Sequence, residues 1–390
     1  MTTQLLEGRW NETKDALLEG LQGSKRTTMA VILENTKKHL METATSGATA
    51  VGNVATLNRV ILPVIRRVMP TVIANEIVGV QPMTGPVAQI HTLRVRYADS
   101  VSAGAGDSAV AGDEALSPFK IAVAYSGNAT TAKAQSTSAL EGVPGNRINV
   151  QILKQVVEAK TRKLSARWTF EAAQDAQSMH GLDVEAEIMA ALAQEITVEI
   201  DQEILGSLRA LAGQTYSYNQ ATVSGTATFV GDEHAALAVL INRAANLIAQ
   251  RTRRGAANWA VVSPAALTVL QSATTSAFAR TTEGTFEAPT NTKFVGTLNG
   301  AMRVFVNSYA QDDTPVLVGY KGSSETDAAA FYCPYIPLMS SGVVLDPTTF
   351  EPVVSFMTRY GYIELTNTAS SFGNAADYVG EIAVQNLTFQ

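Results

Sequence analysis

Val184, Ile188, Leu192, Ile196, Ile200, Ile204 and Leu208 recur every four residues, while Glu185, Glu195, Glu199, Asp201, Gln202 and Glu203 fill the remaining arc. That spacing predicts one long amphipathic helix with an apolar stripe and an acidic, solvated face. Its ends are written beside it. Gly181 and Gly213 bracket the run, Asp183 is placed to cap the first free amides, Glu185 and Glu187 suit the positive end of the helix dipole, and Arg209 suits the negative end. At about 1.5 Å per residue a helix over 182–212 is roughly 45 Å long, a beam with other elements laid along it.

Two shorter helical patterns precede it in residues 1–42, one on Leu5, Leu6, Trp10, Leu17, Leu18 and Leu21, the other on Met29, Ile32, Leu33 and Leu40. The small, aperiodic run Thr43–Val54 then reads as a linker or arm. Period-two alternation over Gln89–Tyr97 predicts a strand with His91, Leu93, Val95 and Tyr97 on an apolar face and Ile90, Thr92, Arg94 and Arg96 on a basic one. Residues 99–146 are dominated by Gly, Ala, Ser and Thr and are expected to hold no core of their own, projecting instead as a long hairpin onto something outside the subunit. Arg162, Lys163, Arg167, Trp168 and Phe170 stand at helical spacing and lead into the beam. Beyond it come a strand-like stretch 216–230, a helix 232–251, a short apolar strand Trp259–Val262 and a helix opened by Pro264. Strand segments follow at 302–306, 316–320 and 330–332, and the chain closes on strands within 342–365 and 377–389. Val354, Phe356, Thr358 and Tyr360 share one face. The pattern is α+β.

Composition narrows the function. The 390 residues are 46% hydrophobic but only 16% charged, well under the usual share of about 25%. Such a low-charge outside suits a chain that buries much of its surface against copies of itself, although an ordinary enzyme shares the composition. A net charge of -6 argues against a basic nucleic-acid-reading face. Cys333 is the only cysteine, so no internal disulfide framework exists. No run of about 18 apolar residues predicts a membrane span.

Catalytic chemistry is sparse. His39, His91, His180 and His234 are scattered without metal-ligand spacing, and His180 beside Gly181 reads as a helix-end residue. Gly104, Gly106 and Ala109 nearly spell a dinucleotide fingerprint but lack its strand and helix. Asp312 and Asp313 read as turn residues, and Arg251, Arg253 and Arg254 as cations answering a helix carboxyl end. No cofactor is expected.

Five segments carry a resemblance: GVQPMTGP at 79–86, AQDAQSMHGLDVEAE at 173–187, VGYKGSSETDA at 318–328, FYCPYIPL at 331–338 and DPTTFEPVVSFMTRYG at 346–361. In this order they resemble the major capsid protein of T-even-type tailed phages. The residues that carry the match include Gln81, Pro82, Gly85, Pro86, Gly181, Asp183, Tyr335, Arg359, Tyr360 and Gly361. The resemblance implies an α+β, Hong Kong 97-type capsid fold. Residues 1–42 would be a helical leader, either propeptide or built-in scaffold, and 43–60 an amino-terminal arm. Residues 61–98, 147–214 and 336–390 would form a peripheral domain with the long helix as spine, 99–146 the extended loop over a neighbour, and 215–335 the axial domain. The extra domain that longer family members insert in the loop is expected to be absent.

The function so implied is mechanical. Copies of the chain would form hexamers and pentamers of an icosahedral shell around phage DNA, which is contained and not read. Portal, vertex or decoration proteins and a maturation protease are the further partners, with no membrane. Family processing follows glutamate in a Leu/Ile-x-Glu context; such triplets end at Glu7, Glu19, Glu34 and Glu42, and Glu42, directly before the small-residue arm, is the candidate site. The same spacing also arises in any amphipathic helix. An encapsulin-type nanocompartment is the alternative shell, and a cytosolic enzyme would need a convergent constellation that the sequence lacks.

Overall fold

In the computed structural model, the described residues are parts of 10–35 and then 73–387, less 103, 105–107, 114, 116–123, 181–182, 222–229, 253, 273–277, 281–291, 324–326, 350 and 366–374. Within the leader, residues 26–35 are helical. The elements that follow are α1 (Ala74–Ile77), β1 (Gly79–Val80), β2 (Val87–Tyr97), α2 (Thr137–Leu140), β3 (Ile148–Glu158), β4 (Lys160–Arg167), α3 (Phe170–His180) and α4 (Val184–Leu211). After these come β5 (Gly213–Asn219), α5 (Val230–Thr252), β6 (Trp259–Val262), α6 (Pro264–Ser272), β7 (Phe278–Arg280), β8 (Thr292–Leu298), β9 (Met302–Asn307) and β10 (Val316–Gly319). The chain ends in β11 (Ala330–Ser340), β12 (Val344–Leu345), β13 (Pro352–Glu364), α7 (Ala375–Tyr378) and β14 (Val379–Gln385).

The long helix forms as its pattern requires. Asp183 caps it, one carboxylate oxygen accepting from the amides of Glu185 at 3.1 Å and Ala186 at 3.4 Å, and Leu192, Ile196, Ile200, Ile204 and Leu208 are buried. One member of the supposed acidic face is misplaced by the pattern. Asp201 is buried, 2% exposed, and accepts from the Ile73 amide at 2.9 Å. A carboxylate can sit there because a directed donor offsets the loss of water.

Two sheets organise the rest. β13 lies at the centre of a five-stranded sheet, antiparallel to β11, β12 and β4, with β1 parallel to β11. The seven-stranded sheet runs β5-β14-β10-β6-β9-β8-β7. It is a wall between two cores. Trp259, Val261, Phe305 and Leu317 join the cluster that contains α4, whereas Ala260, Val262, Val304, Val306, Val316 and Val318 join the one under α5 and α6. Burial on both faces is why Trp259–Val262 is continuously apolar instead of alternating.

Several expectations need correction. Arg162, Lys163 and Arg167 are not on a helix: they lie in the strand β4, which follows the strand β3, and their helical spacing is incidental. β14 was expected with the long helix; it instead pairs with β10 and β5 in the seven-stranded sheet. Residues 330–335, expected in the axial domain, pair with β13 in the five-stranded sheet. The region 99–146 does hold a small core, Tyr97, Ala109, Ala115 and Tyr125, with the two tyrosine rings 4.5 Å apart. The Tyr125 hydroxyl donates to the Arg147 carbonyl and Arg147 pairs with Asp99 at 3.2 Å, closing the neck of this lobe. Arg254 meets Asp327 at 2.8 Å rather than merely answering a helix end.

Candidate subunit interface

A clamp fastens the spine helix to the five-stranded sheet. Arg162 on β4 donates from Nη1 to Glu199 at 2.8 Å, from Nη2 to Glu203 at 2.5 Å and from Nε to the Tyr360 hydroxyl at 2.6 Å. The Tyr360 hydroxyl in turn donates to Glu203. Glu199 and Glu203 lie four apart on one helix face, so a single planar guanidinium spans both. This replaces the freely solvated acidic face. Burial pushes the Glu203 carboxyl up, but the Tyr360 hydroxyl and Arg162 together outweigh it and hold the pKa below the usual value. Burial pulls Arg162 down, and the Glu203 carboxylate and Tyr360 hydroxyl more than reverse it. Burial raises Tyr360. The guanidinium, the hydroxyl and one oxygen of each carboxylate are turned on one another, an arrangement that holds two elements together.

The residues singled out by the motifs converge on the same sheet. Past β1 the Gln81 amide donates to the Tyr332 carbonyl at 3.0 Å and the Met83 amide to that of Pro334 at 3.0 Å. Gln81 and Pro82 thus extend the β1 edge. Gly85 and Pro86 make the turn into β2, where the Pro86 carbonyl accepts from the Ala159 amide at 2.9 Å. Arg359 stacks its guanidinium 5.3 Å from the Tyr335 ring centre. Gly361 is a spacing residue: a Cβ there would overlap Val157 Cγ1 and lie 3.2 Å from the Glu158 carbonyl. Asp183 stands apart as the helix cap, and Gly181 and Glu42 lie outside the described residues.

The third feature is the ribbon of β2 and β3, paired antiparallel along eleven residues each, about 37 Å. Register puts Leu93 opposite Ile152, Val95 opposite Val150 and Tyr97 opposite Ile148 on one face. Tyr97 and Val95 at one end of that face pack on the small core of the 99–146 lobe, and the rest of it points outward. Leu93 is 68% and Ile152 67% exposed, and Val87, Ile148, Val150 and Val156 are exposed with them. The predicted apolar face of β2 is therefore open at Leu93 and buried at Tyr97, while Arg96 on the opposite face is also buried. Leu93, Ile152, Val150 and Ile148 form the apolar part of this face, separated from Val87 and Val156 by the His91–Lys154 pair, and an exposed apolar patch of this kind is a candidate interaction surface. Sequence reasoning missed it by attending to the helical spacing from Arg162 to Phe170 and assigning no strand before it; the alternating Ile148, Val150, Ile152 was the signal.

Residues 54–384 match the family model described as Major capsid protein Gp23. The chain belongs to that family. It is 30% identical to the major capsid protein of Vibrio phage KVP40, over 83% of this chain and 80% of that one. It is also 30% identical to that of Enterobacteria phage T4, over 80% of this chain and 75% of the other. Among solved structures, the capsid of Myoviridae phage XM1 aligns over 79% of this chain and 89% of its own, with 12% identity and a TM-score of 0.45, too distant to argue from.

As a major capsid protein of the Gp23 family with an α+β fold, the chain is a structural subunit of a phage virion shell and not an enzyme. The encapsulin alternative is set aside, since the relatives are phage capsid proteins. Among the described residues no cluster of His, Cys, Asp and Glu could hold a metal, and no helix is long and apolar enough to cross a membrane. His234 is buried with its Nδ1 2.6 Å from the Ser272 hydroxyl, and burial pushes the Cys333 thiol up to about 12, leaving it unreactive.

Proposed function

We propose that copies of this subunit join as hexamers and pentamers by laying the apolar face of the β2–β3 ribbon on a neighbouring copy. The observation that carries this is the outward strip of Leu93, Val150 and Ile152 in a shell-forming family. Burying side chains already one-third covered contributes about 1–2 kcal/mol each, so the strip alone would supply several kcal/mol per contact. The two-core arrangement suits the roles implied by the resemblance. The sheet of β5–β10 and β14 would gather at the capsomer centre, and the spine helix with the five-stranded sheet would form the periphery.

In this reading the shell encloses DNA without reading it, in keeping with the net charge of -6. Portal, vertex or decoration proteins would complete the particle, and a maturation protease would cut after Glu42. The triplet ending at Glu34 is disfavoured as a cutting site because Ile32 and Leu33 are buried. Assembly of the purified Ile152→Asp variant, followed by electron microscopy and sedimentation, tests the ribbon. Folded but unassembled subunits support it, and normal shells refute it.

A further inference from the structure

The leader helix is packed as core. Ile32 and Leu33 have no exposed surface, Met29 and Leu18 almost none, and all four belong to one contiguous cluster with Val80, Met83, Ile196 and Leu338. Positions 29, 32 and 33 follow the i, i+3, i+4 rule for one helix face. Asn35, 7% exposed, adds two directed bonds, Nδ2 donating to the Met83 carbonyl at 2.7 Å and the Tyr335 carbonyl at 3.4 Å. Those carbonyls sit just past the β1–β11 pairs, beside the bulge between Pro334 and Ile336. On the outside, Glu34 accepts from Lys14 at 3.1 Å and Trp10 Nε1 at 3.4 Å, tying the upstream leader to the helix.

An apolar stripe packed in a groove, with a polar side chain fixed by backbone carbonyls, is how a protein binds a separate amphipathic helix. We infer that the body carries a binding site for its own leader, specific for a helix that presents Met29, Ile32, Leu33 and Asn35 on one side, which holds residues 26–35 whether or not the peptide chain between them and the body is intact. These bonds and apolar contacts join 18–35 to the body without using the peptide connection. Cutting after residue 42 is then not release. The leader departs in a separate step, and only that step opens the core beside β1 and β11. The site does not depend on whether a protease acts on this chain in nature, so its test is independent of the proposed processing.

The test uses the full chain with a sequence-specific protease site inserted after Glu42, cut to completion and run on a sizing column without denaturant, with mass spectrometry of each peak. The expected result is one leader per body in the same peak. Asn35→Ala should lose its leader at least tenfold faster than the parent when chased with excess peptide 1–42, with elution and cooperative unfolding of the uncut variant measured alongside. Ile32→Asp with Leu33→Asp should not retain it at all; if that variant fails to fold, Asn35→Ala decides. A parent leader in its own peak, a body that precipitates as the leader leaves, or Asn35→Ala retention equal to the parent's would each overturn the inference.

Discussion

Gly361→Ala isolates the contact between the ribbon and the sheet. Gly361 lies on β13 opposite Cys333, with a φ outside the left-handed region. With free space, alanine there would stabilise the protein by about 0.5–1 kcal/mol, because it restricts the unfolded chain. Space is absent: the new methyl would overlap Val157 Cγ1, with Met83 Sδ 3.4 Å away. Val157 is buried and stiff at χ1, so the clash is not relieved by a simple swing. Overpacking of this kind costs about 1–3 kcal/mol. Val157→Ala alone should cost about 2 kcal/mol through lost burial and a small cavity, but that cavity is where the alanine methyl would go. The double variant should therefore be more stable than the sum of the singles by at least 1 kcal/mol. Urea unfolding of the unassembled subunit measures all four corners of the cycle. A stabilised Gly361→Ala, or a coupling within about 0.5 kcal/mol of zero, would refute the packing account.

Asp183→Ala removes the spine cap and should cost about 1 kcal/mol in the same urea assay, with Asp183→Asn or Ser nearly neutral. Asp201→Ala leaves the buried Ile73 amide without this acceptor and should cost about 1–3 kcal/mol. The Glu203 carboxyl titrates lower in the folded chain than in the unfolded one, so its pairing contributes fully above the ordinary carboxylate range and is lost as pH falls through the folded value. Stability of Glu203→Gln measured against pH should show a shallower acid limb, with a loss at neutral pH near 1 kcal/mol because the cluster is partly exposed; an unchanged limb would contradict the clamp.

The long helix was readable because everything that defines it is local: the Asp183 cap, the four-residue stripe and the dipole-matched ends. Trp259–Val262 was readable for the same reason, as a short apolar run bounded by turns. What escaped was set by partners far along the chain. Asp201 looks like any surface acid until the Ile73 amide, 128 residues away, is placed against it. β14 belongs to the seven-stranded sheet through its pairing with β10 and β5, which no window around 379–385 reveals. Residues 160–167 fit a helical spacing by chance, and only the eight-residue ladder with β13 makes them a strand. Tyr97 and Tyr125 build a small core because the ribbon brings the two ends of a glycine-rich segment together. The family-motif residues were legible as a set, yet their work became visible only in place: Gly361 leaves room for Val157, and Tyr360 completes the Arg162 clamp.

The central claim is that copies of this chain close a shell by covering one another's ribbons. Cryo-electron microscopy of the assembled particles at a resolution that shows side chains tests it most directly. The account predicts closed icosahedral shells in which Leu93, Val150 and Ile152 are buried against a neighbouring subunit. Shells in which that strip faces solvent, or a protein that remains monomeric under all assembly conditions, would contradict it.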